Sequence, residues 1–402
     1  MLDILLRFQL SKYASEGVNY VEFSVGFGDL VKRPWIFTHL SNPTVEDLPF
    51  GDTKVPPIPD SIVFFYLAGF NRRAVKPCLD LENKHETLSW AHNVATTSNA
   101  DILSSQFQEH FSQLRVLKEK FAESREATHA KVPTLHDACV GLDFFGDEWR
   151  YPHCPFGLPE FTNFLFDERR QRAGHFGFRI HGGELCHYDQ HDWAFVAHMG
   201  VVSCTITKIL KAYETYLGTT RHTKFEDVGI EVPPIRIGHG IGFDCFLDRL
   251  ATQVADNNSP LAKLEAEVPF ALKMLLDHHI PIEVNLTSNR LLQGTTQASN
   301  EQLFNPDFLL RCLQKGYRAI LCTDNDGIWP IKFATDGSAF SSVPGELMRS
   351  IEGSNSDAPL DHARVEQLMK NYESAAFGDP SEPVCGLLSG FGHQQECIVR
   401  VA

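Results

Sequence analysis

Seven short runs rich in β-branched and aromatic residues punctuate the chain: VNYVEFSV (18–25), SIVFFYLAGF (61–70), ACVGLDFF (138–145), FGFRIHGG (176–183), IRIGHG (235–240), IPIEVNLTS (280–288) and RAILCTD (318–324). Their apolar positions run with little polar alternation, which is the pattern of strands buried on both faces. Longer stretches with helical spacing separate them, among them LSSQFQEHFSQLRVLKEKFAES (103–124), AFVAHMGVVSCTITKILKAYETYL (194–217) and SPLAKLEAEVPFALKMLLDHH (259–279). Strand followed by crossover, repeated, predicts a parallel α/β fold.

The unusual residues sit at the polar ends of these strands: His181 and Glu184, His239, Ser288 and Asn289, Thr323 and Asp324. In a (β/α)8 barrel the C-terminal ends of different strands meet at one mouth, so this distribution points to a TIM barrel. A doubly wound open sheet is the alternative, but it does not gather side chains from so many strands around one point. A barrel needs eight strands and the pattern supplies seven. The chain opens on a helical pattern, LDILLRFQLSKYASEG, with Gly17 as its stop, so the strand expected to be missing is the first. Connections at 26–59, 71–135 and 185–232 are long enough to form lids or substrate walls. One incomplete barrel over 1–330, with a helical tail over 331–402 packed on it, is the expected organisation.

Composition narrows the function. With 43% hydrophobic residues and 30 Phe the chain can bury a large core, and a net charge of −15 argues against holding nucleic acid by its phosphates. The ten cysteines form no CxxC pair, so neither a zinc ribbon nor a disulfide framework is indicated and a reducing, cytoplasmic location is expected. The first residues lack the build of a signal peptide, although an incomplete amino terminus leaves secretion open. The apolar runs read as too short for a transmembrane helix, so no membrane partner is expected.

His181 closes a strand, with Glu184 three residues on and Gly182 and Gly183 between them to permit a tight turn. Imidazole is a common zinc ligand, and a nearby carboxylate that does not bind the metal can move protons between water and substrate. Taken alone, the pair also reads as a hydrogen-bonded strand-end histidine and a glutamate at a helix N-terminus. His239 closes another strand between Gly238 and Gly240, and Asp324 with Asn325 closes a third, where capping of the next helix is the competing role. Three such endings carry more weight together than singly. His187, His191 and His198 share helical spacing and could take a metal, against a solvated or packed helix face; Lys32, Arg33, Arg72 and Arg73 could meet a phosphate, against ordinary surface charge.

In order along the chain, GLDFFGDE (141–148), HGGE (181–184), RIGHG (236–240), EVNLTSN (283–289) and TDND (323–326) resemble the signatures of the adenosine and AMP deaminases of the metal-dependent amidohydrolase superfamily, and LMKNYESAAF (368–377) resembles the family's closing helix. The resemblance implies a barrel of the metal-dependent hydrolase type and zinc-dependent hydrolytic removal of the 6-amino group of adenosine, AMP or a related purine. It implies that His181 and Asp324 bind zinc and that Glu184 protonates the purine ring. His239 is implied to orient the attacking water and stabilise charge, with Asp324 accepting a hydrogen bond from that water. The Gly146 N–H, Asp143 and Asn325 are implied to contact the substrate. The implied partner is therefore a small purine nucleoside or nucleotide.

Two departures stand out. Asn325 occupies the place of a second aspartate, and its amide can still donate to a ring nitrogen while altering preference. More seriously, the family's first strand carries His-x-His, whose period of two aims both imidazoles at one zinc, and the chain contains no His-x-His. The adjacent His278 and His279 sit at a helix end and would face apart if extended. The absent ligands and the absent strand are one absence, expected from loss of an N-terminal segment and leaving low or no activity. The alternative is a noncatalytic purine-binding protein or scaffold that has lost its metal. The other zinc deaminase class, with H-x-E and P-C-x-x-C, matches nothing here. Unpaired edges beside the missing strand make a homo-oligomer conceivable.

Overall fold

The computed structural model describes residues 2–15, 20–32, 49–50, 53–57, 62–72, 83–96, 107–126, 134–146, 148, 154–172, 174–184, 192–220, 235–248, 259–285, 307–322 and 362–377. All seven expected runs form strands of one sheet: β1 (Tyr20–Gly26), β4 (Val63–Asn71), β5 (Cys139–Phe145), β6 (Gly177–Gly182), β7 (Ile235–His239), β8 (Ile282–Val284) and β9 (Ala319–Leu321). Every pairing in that sheet is parallel, and its spatial order β1-β4-β5-β6-β7-β8-β9 repeats the order along the chain. Among the described residues this is the succession of a (β/α) barrel short of one strand. Separate from it is a two-residue hairpin, β2 (Pro49–Phe50) with β3 (Thr53–Lys54), too short for the pattern of apolar residues to reveal.

Contacts across the sheet show how far it curls. Glu22 on β1 and Arg236 on β7 are separated by three strands, which in a flat sheet places them about 19 Å apart at the usual strand spacing. Their side chains meet instead at 2.7 Å. Arg236 also bonds Glu283 on β8, whose other oxygen takes Arg179 Nε from β6 at 2.6 Å. Arg179 in turn reaches Asp143 on β5 at 3.4 Å, and Ser24 Oγ of β1 donates to the same carboxylate at 2.5 Å. Glu22, Ser24, Asp143, Arg179, Arg236 and Glu283 therefore all point inward, and the register sets Phe65 beside Glu22 and Leu67 beside Ser24 on that same face.

The opposite face of β4 carries Phe64, Tyr66, Ala68 and Phe70 into the main apolar core under the helices. Those helices are α1 (Leu2–Ser15), α2 (Phe27–Lys32), α3 (Lys84–Thr96), α4 (Gln108–Glu126), α5 (Leu135–Ala138), α6 (Pro159–Gln171), α7 (Asp192–Thr220), α8 (Pro260–Asp277), α9 (Phe308–Gln314) and α10 (His362–Ala375). The four long helical patterns of the sequence correspond to α1, α4, α7 and α8. One expectation is corrected: Trp193–Ala212 of α7 is long and apolar enough by length and composition to cross a membrane, but 78% of it is buried, so it packs as a core helix.

The end of the chain's described part closes the bottom of the barrel. Phe377 packs with Val63, Phe65, Leu67 and Val140, and its backbone N–H donates to Glu22 Oε1 at 2.7 Å. Arg236 lies over the Phe377 ring at 4.3 Å and donates to the Ala375 carbonyl at 3.1 Å. Gly177 is required there, since a Cβ would come within 2.3 Å of the Phe377 ring. Just before it, α10 covers the outer edge of β9: Asn371 Nδ2 donates to the Ala319 carbonyl at 2.8 Å and the Tyr372 hydroxyl to that of Leu321. The alternate carbonyl, on Arg318, faces β8.

Because Arg236 is shared by Glu22, Glu283 and the Phe377 plug, Arg236→Met takes from Glu22 its facing cation and leaves Glu283 with Arg179 alone. The expected loss of stability is about 3–5 kcal/mol, read as a lowered midpoint in urea with an unchanged slope. An unaltered midpoint contradicts the closure described above.

Candidate metal centre

The mouth of the barrel is organised by the turn that follows β6. Gly183 adopts φ 79°, and the Glu148 carboxylate accepts two successive backbone N–H groups there, Gly183 at 2.5 Å and Glu184 at 3.0 Å. Glu148 Oε1 also meets His198 Nε2 of α7 at 2.7 Å. The Gly182 and Gly183 carbonyls accept from Gly240 at 3.1 Å and Gly242 at 2.7 Å, tying this turn to the one after β7. Arg72, buried at the end of β4 and stacked 4.6 Å over the Phe144 ring, donates to the His181 carbonyl. The turn's backbone groups are thus met from three sides, which leaves the Glu184 side chain anchored on a fixed backbone.

The second turn is strained. His239 has φ 67°, a left-handed conformation that costs a non-glycine residue on the order of 1–3 kcal/mol and clusters at functional positions. Gly240 follows at φ 58°, where a Cβ would lie 2.3 Å from Ile282 Cγ2. The pair swings the His239 ring off the strand and brings it over His181, with ring centroids 5.0 Å apart.

His181, Glu184 and His239 offer ligand atoms all within 4.8 Å of one another. Glu184 Oε1 lies 3.8 Å from His239 Nε2. As placed, the Asn285 amide donates to His239 Nδ1 at 3.2 Å, so the neutral ring carries its proton on Nε2, facing Glu184. Asp143 Oδ2 is 3.5 Å from His181 Nε2, and the Arg179 guanidinium donates to that same nitrogen. Burial by itself pushes the Asp143 carboxyl up; the neighbouring His181, the Arg179 guanidinium and the Ser24 hydroxyl reverse this and hold it well below the ordinary carboxylate range. Glu148 behaves alike: burial opposes ionisation, and His198 and Arg72 outweigh it.

Of the residues expected to carry chemistry, the fold brings His181, Glu184, His239 and Asp143 together. Gly146 follows β5 at φ 106°, a conformation open to glycine, and a Cβ would meet Asn71 Oδ1 at 2.9 Å. Asp324, Asn325, Ser288, Asn289 and Thr323 lie outside the described residues, as do His187, His191, Arg33 and Arg73. Arg72 is corrected from a surface or phosphate-binding charge to a buried support of the turn. His198 resolves to a packed helix face, its role being to hold Glu148. His278 pairs with Glu214 at 3.0 Å on the outer helices, away from the mouth.

Sequence reasoning missed Glu148, Arg179 and Asn285. Glu148 closes the segment GLDFFGDE, but nothing local says that its partners lie 35 and 36 residues on. Arg179 stands two residues before His181, and the period of two alone puts both on one face.

Whether these residues suit a divalent cation is a matter of donor chemistry. Two imidazoles and a carboxylate are zinc-type donors, and beside them Asp143 Oδ1 is a buried acceptor with no hydrogen bond among the described residues. The set fits such an ion or water attached to it.

Comparison with known proteins adds little to this. No protein-family model matches the sequence, and no curated protein matches it. Among solved structures the chain is similar to the adenine deaminase of Arthrobacter aurescens, at 14% identity, 92% coverage of this chain and 79% of that one, with a TM-score of 0.39. At that score the likeness carries no argument here.

Asp143 and Glu148 have folded-state pKa values below their unfolded ones, so the stability they contribute is complete above the ordinary carboxylate range of about 4 and is lost as pH falls below it. Urea midpoints measured down the acid range are expected to drop steeply in the wild type. In Glu148→Gln the drop is expected to be shallower, from a lower plateau at neutral pH. Parallel curves would contradict the assigned roles.

Proposed function

We propose that this chain is built on the plan of a metal-dependent hydrolase that removes an amino group from a purine, with adenosine, AMP or a close relative as substrate. The observation that carries the reading is the convergence of His181, Glu184 and His239, from the ends of two strands, at one mouth of the barrel beside ionised Asp143. The order of the GLDFFGDE, HGGE, RIGHG, EVNLTSN and TDND segments supports it.

His181 would hold zinc, with Asp324 as a second ligand. A zinc ion, when bound, lowers the pKa of water toward neutrality and supplies a hydrolytic nucleophile. Glu184, fixed through its backbone by Glu148, exchanges a proton between water and the ring nitrogen next to the carbon under attack. His239 Nε2–H, 3.8 Å from Glu184, stabilises negative charge that develops during addition. The N–H of Gly146 and the amide of Asn325 serve as donors to other ring nitrogens. Release of the amino group as ammonia completes the exchange of nitrogen for oxygen.

A second reading, a purine-binding protein without turnover, is favoured by one fact of the sequence: it contains no His-x-His pair to complete the donor set. Removing ligands from a metal site weakens it severely, so activity of residues 1–402 is expected to be low.

The two readings separate in one experiment on purified residues 1–402 at saturating zinc, with labelled adenosine and AMP in equilibrium dialysis and ammonia release followed in parallel. Slow ammonia release that falls about 100-fold or more in Glu184→Gln, with purine binding retained, is the result expected of the deaminase. Binding without ammonia in the wild type favours the second reading, and no purine binding overturns both.

A further inference from the structure

The candidate centre contains a resident cation. Arg179 stands two residues before His181 on β6, and its guanidinium lies between Glu283 and the His181 ring. Nε donates to Glu283 Oε2 at 2.6 Å, while Nη1 lies 3.4 Å from Asp143 Oδ2 and bonds His181 Nε2. A guanidinium has five donors and no acceptor and keeps its charge at any ordinary pH, so the direction of the last bond is fixed. His181 Nε2 is the acceptor, its lone pair points at Arg179, and the neutral ring carries its proton on Nδ1.

A metal ion needs that same lone pair if His181 is to bind through Nε2. Arg179 is also held where an approaching dication meets a positive charge at close range in a buried setting. What keeps it there is the pair of carboxylates on its other side, Glu283 on β8 and Asp143 on β5, both buried. Those same carboxylates give it a place to stay when it lets go of the imidazole.

We propose that Arg179 gates the candidate metal centre: its guanidinium occupies the Nε2 lone pair of His181, and zinc binds only by displacing it onto Asp143 and Glu283. This rests on the reading of His181 as a metal ligand. It assigns to Arg179 a part in setting metal affinity, separate from the effect of the ligands that the sequence does not contain. Lysine at this position keeps a charge against Glu283, but its ammonium ends short of His181.

The test uses residues 1–402 and zinc itself, with competition against a chromophoric chelator as the readout and no dependence on turnover. Arg179→Lys is expected to bind zinc at least about tenfold more tightly than the wild type, and adding His181→Ala is expected to abolish the gain. A folded Arg179→Lys protein that binds no more tightly than the wild type overturns the proposal. Nitrogen NMR of the metal-free wild type gives a second reading should that variant not fold: His181 is expected as the Nδ1–H tautomer with an accepting Nε2, and a proton on Nε2 overturns the proposal. Should the tautomer be as expected while neither the wild type nor the variant takes up zinc, the metal reading of His181 falls and the gate with it. An Nε2 proton together with tight zinc binding removes the gate alone.

Discussion

The alternation of buried carboxylates and guanidiniums across the barrel interior is the constraint on which the rest of the structure depends. Glu22, Arg236, Glu283, Arg179 and Asp143 come from five strands, and each contacts the next. A charge taken out of water is tolerated only when it is paired and hydrogen-bonded, so these groups require the sheet to curl until they meet. For Arg236, burial disfavours its charge, and the facing Glu22 and Glu283 more than restore it. Among these five residues three carboxylates face two guanidiniums, and His181 stands next to the surplus.

That network also separates the two ends of the barrel. Below it, Phe377 and the apolar side chains of β4 and β5 make an apolar floor; above it, the imidazoles and Glu184 form the mouth. The floor is held by the tail and the mouth by Glu148, two devices that come from distant parts of the sequence. Each satisfies backbone groups that the strands alone leave open, which is the general requirement on buried N–H and C=O groups. Covering the outer carbonyls of β9 with Asn371 and Tyr372 answers the same requirement, and blunts an edge that otherwise invites pairing with another chain.

Two carboxylates meet the imidazoles at the mouth. Glu184 and ionised Asp143 line it, and the guanidinium nearest to them is already engaged by Asp143 and Glu283. A strained backbone turns His239 to face Glu184, and the Asn285 amide meets its Nδ1.

The sequence by itself determined the seven strands, their parallel order and the three mouth residues His181, Glu184 and His239, because continuous apolar runs ending in polar residues are a local signal. It also placed Asp143 in a site segment without saying what would hold it ionised. Only the tertiary structure decided that Arg72 and His198 are buried supports, that Glu148 carries the turn, that Arg179 sits on the His181 imidazole, and that the tail seals the floor. The physical reason is that each depends on a partner tens to hundreds of residues away, brought near by the curl of the sheet, whereas hydrophobic periodicity reports only on a residue's own neighbours.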